Sequence, residues 1–444
     1  MTIITHHTPI KFQSKLPDST DIVIIGAGII GIATAWFLSK QGHKVVVCEK
    51  GRVAGEQSSR NWGWVRQQGR DEAELPIMME SIRIWENLAA DIGRDVGFRR
   101  EGSLYLFESE SESERYDHFC SFAPNYGLQS ELLNSSKLYG LVKNCPKHWV
   151  TALHTPSDGR AEPDIAVSAI AEACVRNGVS IVENCAIRTI SVANREIDGV
   201  YTERGLVKCS SVVCCGGAWS SSFLHNCQIY LPQLAVKASV VTTASAASIF
   251  AGNASDKQLA FRRREDGGYT IAMTDYLEVF PSWHGLQLLG KYLPLLRTAY
   301  KKLKIRLYGS SQEKYYYGRT WRDSDISPFE KNRVLNPEPS NRTLMRFRSV
   351  LDNRLPVLKN VAIRQSWAGM IDATPDAVPV MDAAPDVKGL FIASGFSGHG
   401  FGIGPAAGKI MADLVQNNNV EYDLSRFRFS RFSDGSKLKV GPSI

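Results

Sequence analysis

An α/β fold, in which a Rossmann-like nucleotide-binding domain is interwoven with a second, α+β domain on an antiparallel sheet, is predicted by three features of the sequence. The first regular stretch is an apolar strand, a glycine-rich turn and a helix. A second apolar strand closes that unit on an acidic residue. Further along the 444 residues, strand-like and helix-like stretches keep changing places, as they do when two domains are joined by several chain crossings.

In the first unit, Asp21-Ile-Val-Ile-Ile25 reads as a buried strand and Gly26-Ala-Gly-Ile-Ile-Gly31 as a turn leading into the helix Ile32 to Lys40. Lys44-Val-Val-Val-Cys48 is the second strand, and it ends at Glu49. Gly26 permits the tight turn, Gly28 lets the backbone approach a pyrophosphate, and Gly31 lets helix and strand pack closely. The helix start, with Ile29 and Ile30, offers unpaired N–H groups and a positive dipole end to phosphates. Glu49, eighteen residues after Gly31, is placed to accept hydrogen bonds from ribose hydroxyls, and its charge disfavours a 2′-phosphate. The plain alternative is a glycine turn without a ligand; the flanking strand and helix and the spacing of the acid favour the dinucleotide. This unit alone does not separate FAD from NAD.

The later pieces predict strands with turns over Gly102 to Phe107 and Leu234 to Pro281, and a helix over Glu162 to Gly178 followed by the strand Ser180 to Glu183. Residues 207–216 read as a buried strand running into the Gly216-Gly217 turn and the helix start at Ala218 and Trp219. Gly389 to Ser394 is another strand, followed by a glycine-rich loop and the helix Gly404 to Gln416. The expected division assigns 21–95, 151–225 and 350–425 to the nucleotide-binding domain and 96–150 and 226–349 to the second domain. Residues 1–20 form a loose arm and 426–444 a tail.

A net charge of +7 arises from 52 basic and 45 acidic residues spread through the chain, a mixed surface whose mild basic excess suits an anionic substrate or a membrane surface. No zinc-finger spacing, RNP-type aromatic motif or basic heptad accompanies it, so no nucleic-acid partner is expected. Nine cysteines form an odd set without a CxxC pair, which reads as reduced thiols in the cytoplasm and no metal site. The first twenty residues contain no apolar run long enough for a secretion signal or anchor.

Two phrases separate the cofactors. Val212-Val-Cys-Cys-Gly-Gly-Ala-Trp219 and Gly395-Phe-Ser-Gly-His-Gly-Phe-Gly-Ile-Gly404 resemble, in the same order, amine-oxidising flavoenzymes of the D-amino-acid-oxidase-like superfamily, such as monomeric sarcosine oxidase. Glu56-Gln-Ser-Ser-Arg60, Tyr292-Leu-Pro-Leu-Leu296 and Ser327-Pro-Phe-Glu-Lys331 are similar to the L-amino-acid deaminases of that superfamily, and the segment 364–382 fits it as well. The resemblance runs from about residue 21 to about residue 416. It implies FAD, a glutathione-reductase-type FAD domain and a substrate domain. By the same resemblance Lys50, Ser58, Ser59, Arg60, Ala186, Ile187, Cys215, Gly216, Gly217, Trp219 and Gly369 join the glycine turn and Glu49 in holding the cofactor. Gly398, His399, Gly400, Phe401, Gly402, Ile403 and Gly404 line the flavin edge, where a helix N-terminus stabilises the reduced ring.

Departures from the family patterns bear on the substrate. Sarcosine-oxidase-like enzymes bond the flavin through a cysteine, whereas the matching stretch here is Ala368-Gly369-Met370, which implies non-covalent FAD. They also carry a lysine directly after Phe-Ser-Gly-His-Gly-Phe, where this chain has Gly402. The hydrophobic N-terminal anchor of the deaminases has no counterpart in this sequence.

The implied reaction is oxidation of the C–N bond of an amino acid or secondary amine to an imine by hydride transfer to flavin N5, then hydrolysis to a keto acid or aldehyde. Oxygen, a quinone or an electron-transfer protein would take the electrons. Within Ser58 to Arg70, which follows the position where the superfamily lays its chain along the flavin, Arg66 is the first choice for a substrate carboxylate, Trp64 for a wall and Gln67 for a polar neighbour. Against this, Arg60 and Arg66 could serve the cofactor or an ion pair. His399 could tune the ring, or act as the base of a 2-hydroxy acid dehydrogenase on the same scaffold. Thr374-Pro375-Asp376 reads as a turn rather than as half of a carboxylate pair with Asp372, and Tyr315 to Tyr317, Trp321 and Arg322 as a lid or wall. A third reading is a non-catalytic flavoprotein or the FAD subunit of a complex. Residues 294–308 show apolar positions at helical spacing among basic ones, an amphipathic helix that would rest on the inner face of an anionic membrane or on the substrate domain.

Overall fold

Alternate side chains of a strand point to opposite faces, and here both faces are buried. Ile22, Ile24, Val45 and Val47 enter one core, while Val23, Val46, Val212 and Cys214 enter another on the far side of the same sheet. The computed structural model describes residues 3–144, 147–280, 289–300, 302–306 and 320–441. That first sheet has six strands in the order Val380–Ala383, Leu390–Ser394, Ser211–Cys214, Ile22–Ile25, Val45–Cys48 and Ser180–Val182. All neighbours run parallel except the antiparallel edge strand Val380–Ala383. The helices Ile29–Lys40, Glu74–Ile92, Pro163–Arg176 and Gly400–Val415 contribute to the core on one face. A meander of Ile187–Ala193, Glu196–Thr202 and Gly205–Lys208 covers the other. Successive strands Ile22–Ile25 and Val45–Cys48 joined by the helix Ile29–Lys40 make the expected Rossmann-like unit.

Ten strands among the described residues form the second sheet. Its spine, Leu234–Thr243, pairs antiparallel with Ile363–Ala373 on one edge and with Tyr269–Met273 and Leu277–Val279 on the other. Two pairs depart from the antiparallel expectation: Ser103–Phe107 runs parallel to Asn253–Ser255, and Leu277–Val279 parallel to Leu303–Ile305.

Several expected boundaries do not coincide with the sheets. Thr151–Thr155 pairs with Ser103–Phe107 in the larger sheet, and Ile363–Ala373 lies there too, although 151 and 350 were the expected starts of FAD-domain segments. The N-terminal arm is not loose: the Glu183 carboxylate accepts from the N–H groups of Lys11 and Phe12 at 2.7 and 3.2 Å, and the Phe12 side chain is buried. The tail is also fixed, with Phe427, Phe429 and Phe432 buried and Arg431 in a buried ion pair with Asp376. The helix expected over 294–308 is instead Leu289–Ala299, and Leu303–Ile305 is an edge strand. The turn between them breaks the continuous amphipathic face, and residues 301, 307 and 308 lie outside the described residues. Among the described residues no helix is long and apolar enough to cross a membrane. Eight cysteines are described and all are free thiols.

Candidate active site

The position of the site follows from two glycines on the helix Gly400–Val415. A Cβ at Gly408 would lie 2.5 Å from Ala33 Cβ and 2.6 Å from its carbonyl carbon, and one at Gly404 would lie 2.6 Å from Ile29 Cγ1. Four residues apart, they share one face, so the helices Ile29–Lys40 and Gly400–Val415 meet nearly backbone to backbone. Their N-termini open onto one cavity, lined there by Gly28, Ile29, Gly400 and Phe401. Each end presents N–H groups that have no partner within the helix, with the positive end of its dipole. Gly26 has φ +95° and its Cβ would lie 2.7 Å from the Cys215 carbonyl oxygen, so only glycine makes this turn.

At one end of the cavity, the Glu49 carboxylate accepts from the N–H groups of Ala27 at 2.8 Å and Gly51 at 2.7 Å. Burial pushes its pKa up to about 7, against the lowering effect of Lys50 and of these N–H groups. Ser58 Oγ accepts from Ile29 N–H at 2.9 Å, tying the loop to the helix start. Lys50 lines the cavity, but its ammonium is used by Glu56 at 2.6 Å and by the carbonyls of Asn332 and Arg333 at 2.8 and 3.0 Å. Trp219 donates to Glu56 at 3.1 Å, and Ile187, Cys215, Gly216 and Gly217 complete that wall. At the other end stand Met370, Asp372, Phe396 and Gly398.

Several expected residues face elsewhere. Gly31 packs the helix on the turn, its Cβ position 2.1 Å from the Gly26 carbonyl oxygen. Ser59 is buried in a helical turn, its N–H on the Glu56 carbonyl at 3.1 Å. The Arg60 guanidinium donates to Asn336 Oδ1 at 2.7 Å and to the carbonyls of Ala368 at 3.0 Å and Ile4 at 2.9 Å, so it stitches three chain segments together behind the cavity. Ala186 gives its N–H to Glu203 at 2.6 Å. Gly369 points away from the cavity, and its Cβ position lies 1.8 Å from Gln57 Oε1. His399 precedes the helix and is buried outside the lining. Gly402 gives its carbonyl to Ser81 at 2.7 Å and Trp85 at 2.9 Å, and a Cβ there would lie 3.1 Å from the Trp64 carbonyl oxygen. A side chain at 402 would therefore require the Trp64–Val65 backbone to give by a few tenths of an ångström. Ile403 is packed in the helix-side core.

Of the expected substrate contacts, Gln67 is turned to Asp158, its N–H on Oδ1 at 2.7 Å and its amide at 3.3 Å. Arg66 is half-buried, donates to the Gln68 carbonyl and lies 5.7 Å from the Tyr105 ring centroid. It has no carboxylate partner among the described residues, unlike Arg70, which faces Glu74 at 3.5 Å. Trp64 is half-buried, its ring 5.7 Å from that of Trp62. None of the three lines the cavity described above. Trp321 donates to the Arg188 carbonyl at 2.7 Å and stands against Phe329, which does line the cavity. Arg322 is exposed in a turn with Asp325, and Tyr315 to Tyr317 lie outside the described residues.

Sequence reasoning missed Gln57, Met370, Asp372, Phe396 and Phe329 on the lining. A period of two along Ile363–Ala373 puts Met370 and Asp372 on one face and Gly369 on the other, so strand alternation was the available signal. Thr374 to Ala377 is the expected turn, closed by Ala377 N–H on the Thr374 carbonyl at 3.2 Å; Asp372 lies before it in the strand. Among the described residues no group of three His, Cys, Asp or Glu could hold a metal ion.

These residues fit a flavin dinucleotide. Gly26 and Gly28 leave the backbone bare at the start of the first helix, as the close approach of a pyrophosphate needs, and Glu49 stands at the strand end for a ribose. Residues 21–414 match the model of the family described as DAO, FAD dependent oxidoreductase. The chain belongs to this family. Its members' cofactor, FAD, is the group the cavity takes. Mouse mitochondrial sarcosine dehydrogenase is 24% identical over 430 residues, 95% of this chain but 42% of that protein. The chain thus spans less than half the length of that relative. Sarcosine oxidase subunit beta of Rhodobacter capsulatus is 23% identical over 94% of this chain and 90% of its own length. The structure of L-amino acid deaminase from Proteus myxofaciens in complex with anthranilate superposes with a TM-score of 0.90 at 26% identity, covering 96% of this chain and 97% of that one.

Proposed function

We propose that this DAO-family protein oxidises the C–N bond of an amino acid or secondary amine to an imine, which water hydrolyses to a keto acid or aldehyde. The observation that carries the reading is the convergence of two helix N-termini on one cavity, which supplies fixed positive potential for the pyrophosphate and for the ring of a bound flavin nucleotide. Relatives that are named for sarcosine and for L-amino acids support an amine as the substrate class. When bound, FAD supplies the hydride acceptor, N5. The protein's part is to bind and aim. Helix N–H groups hold the phosphates, Glu49 takes ribose hydroxyls, and Phe396 and Phe401 exclude water from the ring end. Arg66, outside this lining but without a carboxylate partner among the described residues, is proposed for the substrate carboxylate. The absence of a cysteine from Ala368-Gly369-Met370 supports non-covalent FAD.

The 2-hydroxy acid alternative loses its base, because His399 is buried outside the lining. A non-catalytic role has one observation in its favour: mouse pyruvate dehydrogenase phosphatase regulatory subunit is 24% identical over 93% of this chain and 44% of its own length. Anaerobic mixing of the flavin-loaded protein with L-amino, D-amino, N-methyl amino and hydroxy acids decides among these. Bleaching of the flavin band by an amine class is expected; bleaching by hydroxy acids alone, or by none, contradicts the proposal.

A further inference from the structure

We propose that Asp372 sets the reduction potential of the bound flavin: its carboxylate, anchored to the turn before the helix Gly400–Val415, places a negative charge at the ring end of the cavity, opposed to the positive end of that helix. The inference rests on FAD in this cavity and not on the identity of the substrate.

Asp372 lines the cavity beside Met370, Phe396 and Gly398, and is only 9% exposed. Its position is fixed from both sides of the chain. Oδ2 accepts from Gly395 N–H at 2.9 Å, and the Asp372 carbonyl accepts from Ser397 N–H at 3.1 Å. A buried acid would ordinarily be matched by a cation. Of the three acids on the lining, Glu56 is matched by Lys50 and Glu49 stands at the opposite end on the Ala27 and Gly51 N–H groups. Among the described residues Asp372 has only backbone donors. Burial raises its pKa to about 6, so it is mostly ionised at neutral pH and protonated in mild acid.

Of the charged and titratable groups on the elements packed around it, Lys237, Tyr292 and Asp376 are engaged elsewhere. Lys237, on the neighbouring strand Leu234–Thr243, pairs with Glu278 at 3.1 Å. Tyr292, from the helix Leu289–Ala299, donates to the Ala373 carbonyl at 3.1 Å. Asp376, in the turn that follows, pairs with Arg431 at 2.9 Å, and His399 stands at the start of the helix Gly400–Val415. A single unit charge a few Å from charge that develops on reduction shifts an equilibrium by about tenfold or more in a partly desolvated site. The helix N-terminus favours the reduced ring and ionised Asp372 disfavours it, so the side chain tempers the helix.

The test is reductive titration of the holoprotein with a reference dye and no amine present, across pH 5 to 8. Asp372→Asn keeps an oxygen for the Gly395 N–H and removes the charge. At pH 8 the variant flavin is expected to be more reducible than wild type, by about tenfold or more in the dye equilibrium. That difference shrinks as pH falls and the wild-type carboxyl protonates. Equal dye equilibria at pH 8, or a difference undiminished at pH 5, overturns the proposal. If Asp372→Asn does not retain flavin, Asp372→Ser, which also removes the charge, takes its place in the same titration, and a dye equilibrium equal to wild type at pH 8 overturns the proposal. With no amine in the assay, a failure here leaves the proposed substrate class standing.

Discussion

Gly408→Val is expected to abolish flavin binding and to destabilise the protein by about 3 kcal/mol or more, whereas Gly404→Ala stays within about 1 kcal/mol of wild type. The two glycines face the same partner helix, and the difference lies in what a new side chain meets. At 408 it meets Ala33 Cβ, the Ala33 carbonyl carbon at 2.6 Å and Thr34 N at 2.7 Å, none of which can turn aside. At 404 the nearest atoms are Ile29 Cγ1 at 2.6 Å and Cγ2 at 3.2 Å, side-chain atoms that can shift where backbone cannot, and alanine regains about 1 kcal/mol of helix propensity. Forcing the helices apart at 408 also separates the two N-termini that share the cavity. Urea denaturation and the flavin content of purified variants measure both effects. A yellow Gly408→Val protein of wild-type stability would contradict the account.

Arg431→Ala is expected to cost about 3–5 kcal/mol, because it leaves the Asp376 carboxylate buried without its partner. The side chains of Arg431 and Asp376 are 3% and 1% exposed, and they are joined at 2.9 and 3.1 Å. Arg431 also donates to the Val378 carbonyl at 2.6 Å, so the tail holds the turn that follows the strand carrying Met370 and Asp372. Removing both charges with Asp376→Leu and Arg431→Leu together should recover much of the loss, since a buried pair replaced by apolar groups is often near neutral. Chemical denaturation of the two variants tests this, and an Arg431→Ala protein as stable as wild type would show the tail to be dispensable.

The nucleotide-binding unit was legible because local pattern and tertiary role agree there: an apolar strand, glycines at the turn, and an acid at the next strand's end. Helix starts were less legible. The helix expected from Ile32 begins at Ile29, and the one expected from Gly404 begins at Gly400. Glycine is a poor helix former, so glycine-rich first turns read as loop; close packing of the two helices overrides that propensity. Arg60 and His399 illustrate another limit. Both sit beside cofactor phrases in the sequence, yet a side chain's direction depends on backbone geometry that adjacency does not carry, and both are buried away from the lining. The arm reads as loose because few apolar residues mark it; the buried Phe12 and the bonds of the Lys11 and Phe12 N–H groups to Glu183 hold it instead.

Titration of the flavin-free protein with FAD at several pH values tests the central claim most directly. Glu49 must be ionised to accept ribose hydroxyls well, and its raised pKa of about 7 places the change within reach. Affinity is expected to be highest near pH 8 and to weaken below pH 7, approaching about tenfold per unit. The free protein should respond in the opposite sense. An acid whose folded pKa is raised contributes stability that is full below its ordinary pKa, about 4.3, and lost as pH rises through about 7. Tight uptake of FAD with this pH dependence, lost in Glu49→Gln, is the predicted result; a protein that takes up no FAD at any pH would contradict it.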